Sequence, residues 1–504
     1  MTPPIAHSGS GAWGGYRSLL FVLCTAQFVV VLDVNIVNVA LPGIRRDLGL
    51  TTSDLAWVIS AYALTFGSLL LVSGRIGDVV GRRRLFAIGL GLFAAGSLSA
   101  GLADSSMPLI GGRVVQGIGA ACLSPTGLAI ISATFKERAA RNRALALWAA
   151  AAALGAASGQ AVGGAVISLF SWRAAFLINI PVCIAALPLV AAIDVPRRAR
   201  GVRRRSLDFG GALLVVGGLA ALVYVLRTIR QTGIASVETF GPIALAVVLL
   251  GAFIRAERRH EEPLLPAGML ELVTVEVGNI ATAVTAGAAA TTGYFATLYL
   301  QQVLRWSPAE TGLGFLPFTV AVVASSALVP RLAARFLNRW LLVAGLTTMA
   351  AAAALFVALP TRGGYLPVVL PSFVLLGAGL GVTSVMATGL ATRCVHDESQ
   401  GAAAGLVATS EQIGTAIVLL ALTALAGSAQ TSATPAGQVG GFRAAEGAAA
   451  ALLAAVAALT ALLLSTRRAV PLLAAYAATN PRADSERPQR RGGNDAPGSP
   501  PLEP

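Results

Sequence analysis

From Ser18 to Leu41 the chain carries one charged side chain, Asp33, and the stretches Leu55 to Ser73, Trp148 to Phe170 and Leu366 to Leu390 carry none. An α-helix of about 20 apolar residues crosses the roughly 30 Å hydrocarbon core of a bilayer. Fourteen such runs begin near residues 18, 55, 84, 107, 144, 173, 208, 237, 277, 310, 340, 366, 402 and 444. Only 12% of the residues are charged and the mean hydropathy is +0.75, against about 25% charged in a soluble domain. The expected class is therefore an all-α integral membrane protein that crosses the bilayer many times.

A net charge of +14 raises the question of nucleic acid. Of the 37 basic residues, 28 fall in the tails and even-numbered loops, 8 in the odd-numbered loops, and one, Arg113, inside a span. That asymmetry is what positive-inside sorting produces. Both termini are assigned to the cytoplasm, and the basicity is topology and attraction to anionic lipid rather than a nucleic-acid surface. Richness in alanine and arginine, with a single lysine, points to a GC-rich bacterial genome, and the expected location is the bacterial inner membrane. Cys24, Cys122, Cys183 and Cys394 have no paired spacing and read as small apolar residues. No cofactor or metal is expected, and a monomer is the expected state.

The spans group as six, two and six. Residues 1–17 form a tail, 18–193 a first six-span bundle, 194–256 a basic linker with two further spans, 257–276 a charged linker, 277–466 a second six-span bundle and 467–504 a tail of disordered composition. "PRLAARFLNRW" aligns with "GRIGDVVGRRR" so that Arg331 meets Arg75, Ala334 meets Asp78 and Arg339 meets Arg83. Paired halves about a cavity are a common plan of secondary transporters.

An ionisable group within a span costs about 2.5 to 3.5 kcal/mol on the insertion scale, so its presence points to function. Asp33 lies in the first span with Asn35 and Asn38 nearby, and Arg113 lies early in the fourth with Gln116 close by. A carboxylate in a cavity can load and release a proton; the alternative is a hydrogen-bonded packing residue, with Arg113 a tether to backbone carbonyls. Glu411 near the start of the thirteenth span is either a cavity acid or an interfacial cap, and Glu446 reads as interfacial. In "GRIGDVVGRRR", Gly74, Gly77 and Gly81 allow a tight turn, while Asp78 can latch another helix N-terminus or pair with an arginine. The plainer alternative is a loop that only sets topology. Glycines on the fourth, fifth and twelfth spans allow close helix approach.

"GRIGDVVGRRR" resembles the signature loop of the major facilitator superfamily. "LDVNIVNVALP", "RVVQGIGAACLSP" and "SWRAAFLINIP" together resemble its fourteen-helix drug:proton antiporter family. The resemblance implies two six-helix bundles with two extra helices, and export of small amphipathic or cationic drugs in exchange for protons. It places Asp33 at the acidic position linked to proton or substrate binding, Arg113 at the arginine linked to proton transfer, and Gly74, Asp78, Gly81 and Arg82 in the gating loop. The fifth span carries the antiporter-like glycines Gly155, Gly159, Gly163 and Gly164, but Gln160 stands where the family usually has proline. The expected partners are a small molecule, protons and the lipid bilayer.

Three readings compete with drug export. A transporter of the same fold could carry a secreted natural product or another metabolite. A membrane enzyme would need a catalytic constellation, and the three histidines, His7, His260 and His396, lie outside the spans with no HExxH. A non-transporting sensor would not need Asp33 and Arg113 in one half. No phosphate-binding GxxxxGK[ST] loop occurs, which argues against an ATP-driven pump.

Overall fold

The computed structural model describes residues 11–135, 137–192, 237–259, 272–393 and 400–465 except 431 and 433, with a few isolated positions between. The span expected from residue 208, most of both linkers and the C-terminal tail lie outside the described residues, as does Cys394.

Helices follow the apolar runs. They are α1 (Gly11–Leu48), α2 (Thr52–Val80), α3 (Arg82–Gly101), α4 (Ser106–Thr134), α5 (Arg138–Leu169), the short α6 (Ala174–Leu177) and α7 (Asn179–Ala192). After α8 (Val237–Arg259) come α9 (Val273–Leu298), α10 (Pro308–Gly314), α11 (Leu316–Ala333), α12 (Asn338–Phe356), α13 (Leu370–Arg393), α14 (Gln400–Ala429) and α15 (Pro435–Ser465). Single π-helical turns extend α9 through Tyr299–Val303 and precede α13 over Tyr365–Val369. Ten of the described helical segments are long and apolar enough to cross a membrane. Large apolar side chains such as Leu154, Val248 and Val320 point outward, as lipid contact requires.

The same pairings recur in both halves of the chain. In the first, α1 packs on α5 and α7, α4 on α2 and α3, and α3 on α7. In the second, α9 packs on α14 and α15, α13 on α11 and α12, and α12 on α15. Local chemistry repeats with them. Thr51 caps α2 by accepting from the amide of Asp54, and Ser307 with Glu310 forms a full capping box on α10. Just before these caps, Gly49 and Arg305 both hold left-handed backbone, φ +65° and +63°. Arg173 donates to the carbonyl of Ala103, and Arg443, in the corresponding place, donates to that of Leu359. The halves meet along α2 with α14 and α5 with α10.

The connection after α2 differs from the expected glycine turn. Gly74 and Gly77 are helical, α2 runs to Val80, and α3 starts at Arg82. Gly81 alone turns the chain, with φ +101°, a value that L side chains rarely adopt. Its amide still donates to Gly77 O at 3.1 Å and its carbonyl accepts from Leu85 N at 3.0 Å, so helical bonding nearly bridges the break. Arg82 folds back to donate to Ala129 O on α4 at 2.9 Å. The Asp78 side chain lies outside what the structure describes.

Candidate functional site

Five helices of the first half converge on Asp33. α1 supplies Asp33, α2 the carbonyl of Val58 and the ring of Tyr62, α3 Ser97, α4 Arg113 and Gln116, and α7 Asn179. Asp33, Ser97, Gln116 and Asn179 are fully buried and Arg113 is 1% exposed. Arg113 Nη1 donates to Asp33 Oδ2 at 2.5 Å and to Gln116 Oε1 at 2.9 Å, while its Nε donates to Val58 O at 2.8 Å. Asp33 Oδ1 accepts from Gln116 Nε2 at 3.0 Å and Asn179 Nδ2 at 2.7 Å. The same two amides reach Ser97 Oγ at 2.7 and 3.2 Å. Tyr62 covers the guanidinium, with its ring centroid 4.3 Å from Cζ.

Such a cluster answers the cost of burial, since a charge away from water persists only when paired and hydrogen-bonded. It is also short of complete. Tyr62 OH and Asn179 Oδ1 are buried without a partner. Asp33 is sealed inside the first half, bonded to groups on α4 and α7. Asp33 and Arg113 were legible as intramembrane charges. Ser97, Asn179 and Tyr62 were not singled out, and the signal for Asn179 was an amide inside the apolar run "FLINIPV".

Asn35 faces away from this cluster. It donates to Val31 O at 2.9 Å and sits against α5, where a Cβ on Gly159 would come 2.6 Å from the Asn35 Cβ. Gly155 and Gly163 make the same close approach to Phe28 and Ile36, so the glycines of α5 are the seam with α1. Gly164 and Gln160 lie on the seam with α10: Gly164 packs on Pro308, and Gly312 on the carbonyl of Gln160. The Gln160 side chain is 5% exposed and its Oε1 has no partner, so it is buried at the junction of the halves rather than facing a cavity.

Further bonds close that same end. Arg45 Nη1 donates to Gln302 Oε1 at 2.7 Å, Gln301 Nε2 to Val39 O at 3.0 Å, and Ala309 N to Ser168 Oγ at 3.1 Å. These bonds join the halves at the end holding Arg45. On α14, Ala404, Glu411 and Leu425 are exposed, while Leu419, Leu422 and Ala426 are buried. Glu411 is exposed and shares no hydrogen bond with the Asp33 cluster among the described residues. Glu446, expected at the interface, is fully buried on α15 and accepts from Thr292 Oγ1 at 3.0 Å. The described residues hold no group of three metal-binding side chains.

Comparison with known proteins places this architecture. The profile described as Major Facilitator Superfamily matches residues 23–418 and 278–478. The chain is 37% identical to the puromycin resistance protein pur8 of Streptomyces alboniger, over 84% of this chain and 82% of that one. It is 36% identical to the cephamycin export protein CmcT of Amycolatopsis lactamdurans, over 83% and 86%. Among solved structures, a bacterial homolog of the lysosomal transporter Spinster superposes with a TM-score of 0.66 at 17% identity, covering 90% of this chain and 98% of that one. Paired six-helix halves, a sealed acid–arginine cluster and these matches lead to one conclusion: the chain belongs to the Major Facilitator Superfamily.

Proposed function

We propose that this chain is a proton-coupled secondary transporter that exports small amphipathic or cationic antibiotic-class compounds by alternating access. Its relatives carry the names of puromycin resistance, cephamycin export and lincomycin resistance proteins, which supports the cargo class. The observation that carries proton coupling is the buried Asp33–Arg113 pair, whose hydrogen bonds tie α1 to α4 and α7 and reach α2 through Val58 O. Protonation of Asp33 removes the charge that holds Arg113 and so loosens α1 from α4. Because α1 also lies on α5 through Asn35 and Gly159, that loosening reaches the seam where α5 meets α10.

With the arginine-rich end in the cytoplasm, as positive-inside sorting assigns it, the bonded Arg45 end is the outer gate. Glu411 lines the path by which a cationic cargo enters. Return of a proton supplies the work, about 2.3 kcal/mol per charge per 100 mV plus the pH gradient.

The test is proton movement in inside-out vesicles on addition of puromycin and other cationic drugs. Drug-induced proton release from the lumen in the parent, absent in Asp33→Asn, is expected. Drug uptake with no accompanying proton flux would sink the coupling.

A further inference from the structure

The two halves repeat a five-residue sequence, "WRAAF" at Trp172–Phe176 and "FRAAE" at Phe442–Glu446. The structure repeats with it, since Arg173 and Arg443 each tether a backbone carbonyl at the matching helix end. Phe176 stands beside Arg113, its ring centroid 5.9 Å from Cζ. Glu446 occupies that place in the second half without an arginine to meet it: matching close approaches pair Gly117 with Gly377 and Gly119 with Gly379, which puts Phe373 opposite Arg113 and Leu376 opposite Gln116. Ala288 and Ala289 stand where the first half has Asp33, and Ala449 where it has Asn179. The second half lacks the ionic cluster and holds a lone acid in its place.

Glu446 is completely buried, with Thr292 on its Oε2 and no partner on Oε1. Its surroundings are apolar. Phe442 and Phe295 stack one turn back at 4.9 Å, and Ala445, Ala449 and Phe356 belong to the same core. The charged and titratable groups on the packed elements are otherwise engaged or at the helix ends. Arg443 is committed to Leu359 O, Tyr299 donates to Pro360 O, and Tyr294 lies on α9 facing Phe295. Glu276 opens α9, Arg339 donates to Leu464 O at the end of α15, and Glu411 is exposed on α14. Glu446 forms no salt bridge among the described residues.

We infer that Glu446 is a second proton site of this transporter, separate from Asp33, with the proton held on the buried carboxyl in the conformation seen here. An unpaired carboxylate does not persist in such a core, and no bulky cation can reach a fully enclosed oxygen. In the alternate conformation, parting of α9 from α15 admits water; the O–H bond of the carboxyl breaks and the proton passes to that water, leaving the carboxylate. The coupling role rests on the proton-driven reading above, whereas the proton site itself does not.

The experiment is infrared difference spectroscopy of the purified full-length protein across an alkaline pH step. The parent is expected to show loss of a protonated-carboxyl carbonyl band that is absent in Glu446→Gln, present in Asp33→Asn, and shifted in Thr292→Val, which removes its hydrogen bond. Spectra of Glu446→Gln that match the parent overturn the site. If Glu446→Gln does not fold, an unshifted band in Thr292→Val overturns it instead. In vesicles with a pH gradient of one unit, loss of one coupled proton lowers the limiting drug accumulation about tenfold. Unchanged accumulation in Glu446→Gln overturns the coupling role. Absence of drug-linked proton flux in the parent, with the band still assigned to Glu446, removes the transport reading and leaves the proton site standing.

Discussion

Arg45 and Gln302 join the halves at one end, the guanidinium donating to the amide oxygen at 2.7 Å. The neighbouring Gln301 returns a bond to Val39 O on α1, so each half contributes a donor to the other. A hydrogen bond from a charged donor contributes about 1.5 to 3 kcal/mol, and half-burial puts this one at the low end. Arg45→Ala and Gln302→Ala are therefore expected to favour the conformation open at this end. Spin-label distances between α1 and α9 at that end should lengthen in either variant and no further in the double variant. Additive lengthening would mean the two residues act independently.

Arg113→Ala leaves Asp33 buried without its cation, which costs about 3 to 5 kcal/mol. Asp33→Asn removes the charge but keeps an oxygen for Gln116 and Asn179, and should cost less. Thermal unfolding in detergent is expected to rank the parent above Asp33→Asn and Asp33→Asn above Arg113→Ala, with the double variant more stable than Arg113→Ala. Arg113→Lys should fail to restore transport, because a single ammonium lacks the fork that serves Asp33, Gln116 and Val58 O together.

Gly49 and Arg305 offer an internal control on backbone strain. Nothing lies within 4 Å of a Cβ built on Gly49, so Gly49→Ala meets no steric obstacle beyond its own φ of +65°. It should destabilise by about 1 kcal/mol. Arg305→Gly relieves the same conformation and should leave the melting temperature unchanged or raise it slightly. A large loss on Arg305→Gly would show that its side chain has a role beyond the turn.

Gly312 packs on the carbonyl of Gln160, leaving no room for a side chain. Gly312→Leu is expected to hold α5 and α10 apart and to lower drug export at least tenfold. Export at the parental rate would show that the seam need not close during transport.

The antiporter-like glycines of α5 were legible in the sequence, yet their division of labour was not. Gly155, Gly159 and Gly163 meet α1 while Gly164 meets α10; glycine spacing marks a close contact but not the partner. Gly81 shows the same limit. Three glycines suggested a tight turn, but Gly74 and Gly77 keep helical bonds and only Gly81 leaves the helix.

What the sequence determines by itself is the set of described spans, the basic asymmetry of their connections and the two intramembrane charges Asp33 and Arg113, because the bilayer's penalty on exposed backbone and charge acts on each segment locally. It also carries the repeat, in caps, turns and arginine anchors. Only the tertiary structure decided that Asp33 turns inward to Asn179 and Ser97 rather than toward the central space, that Gln160 lies in the seam, and that Glu446 is sealed beside Thr292. The helices are apolar nearly all round, so hydrophobic periodicity does not say which face meets which neighbour. Small-residue packing and shared hydrogen bonds make that choice, between residues far apart in the chain.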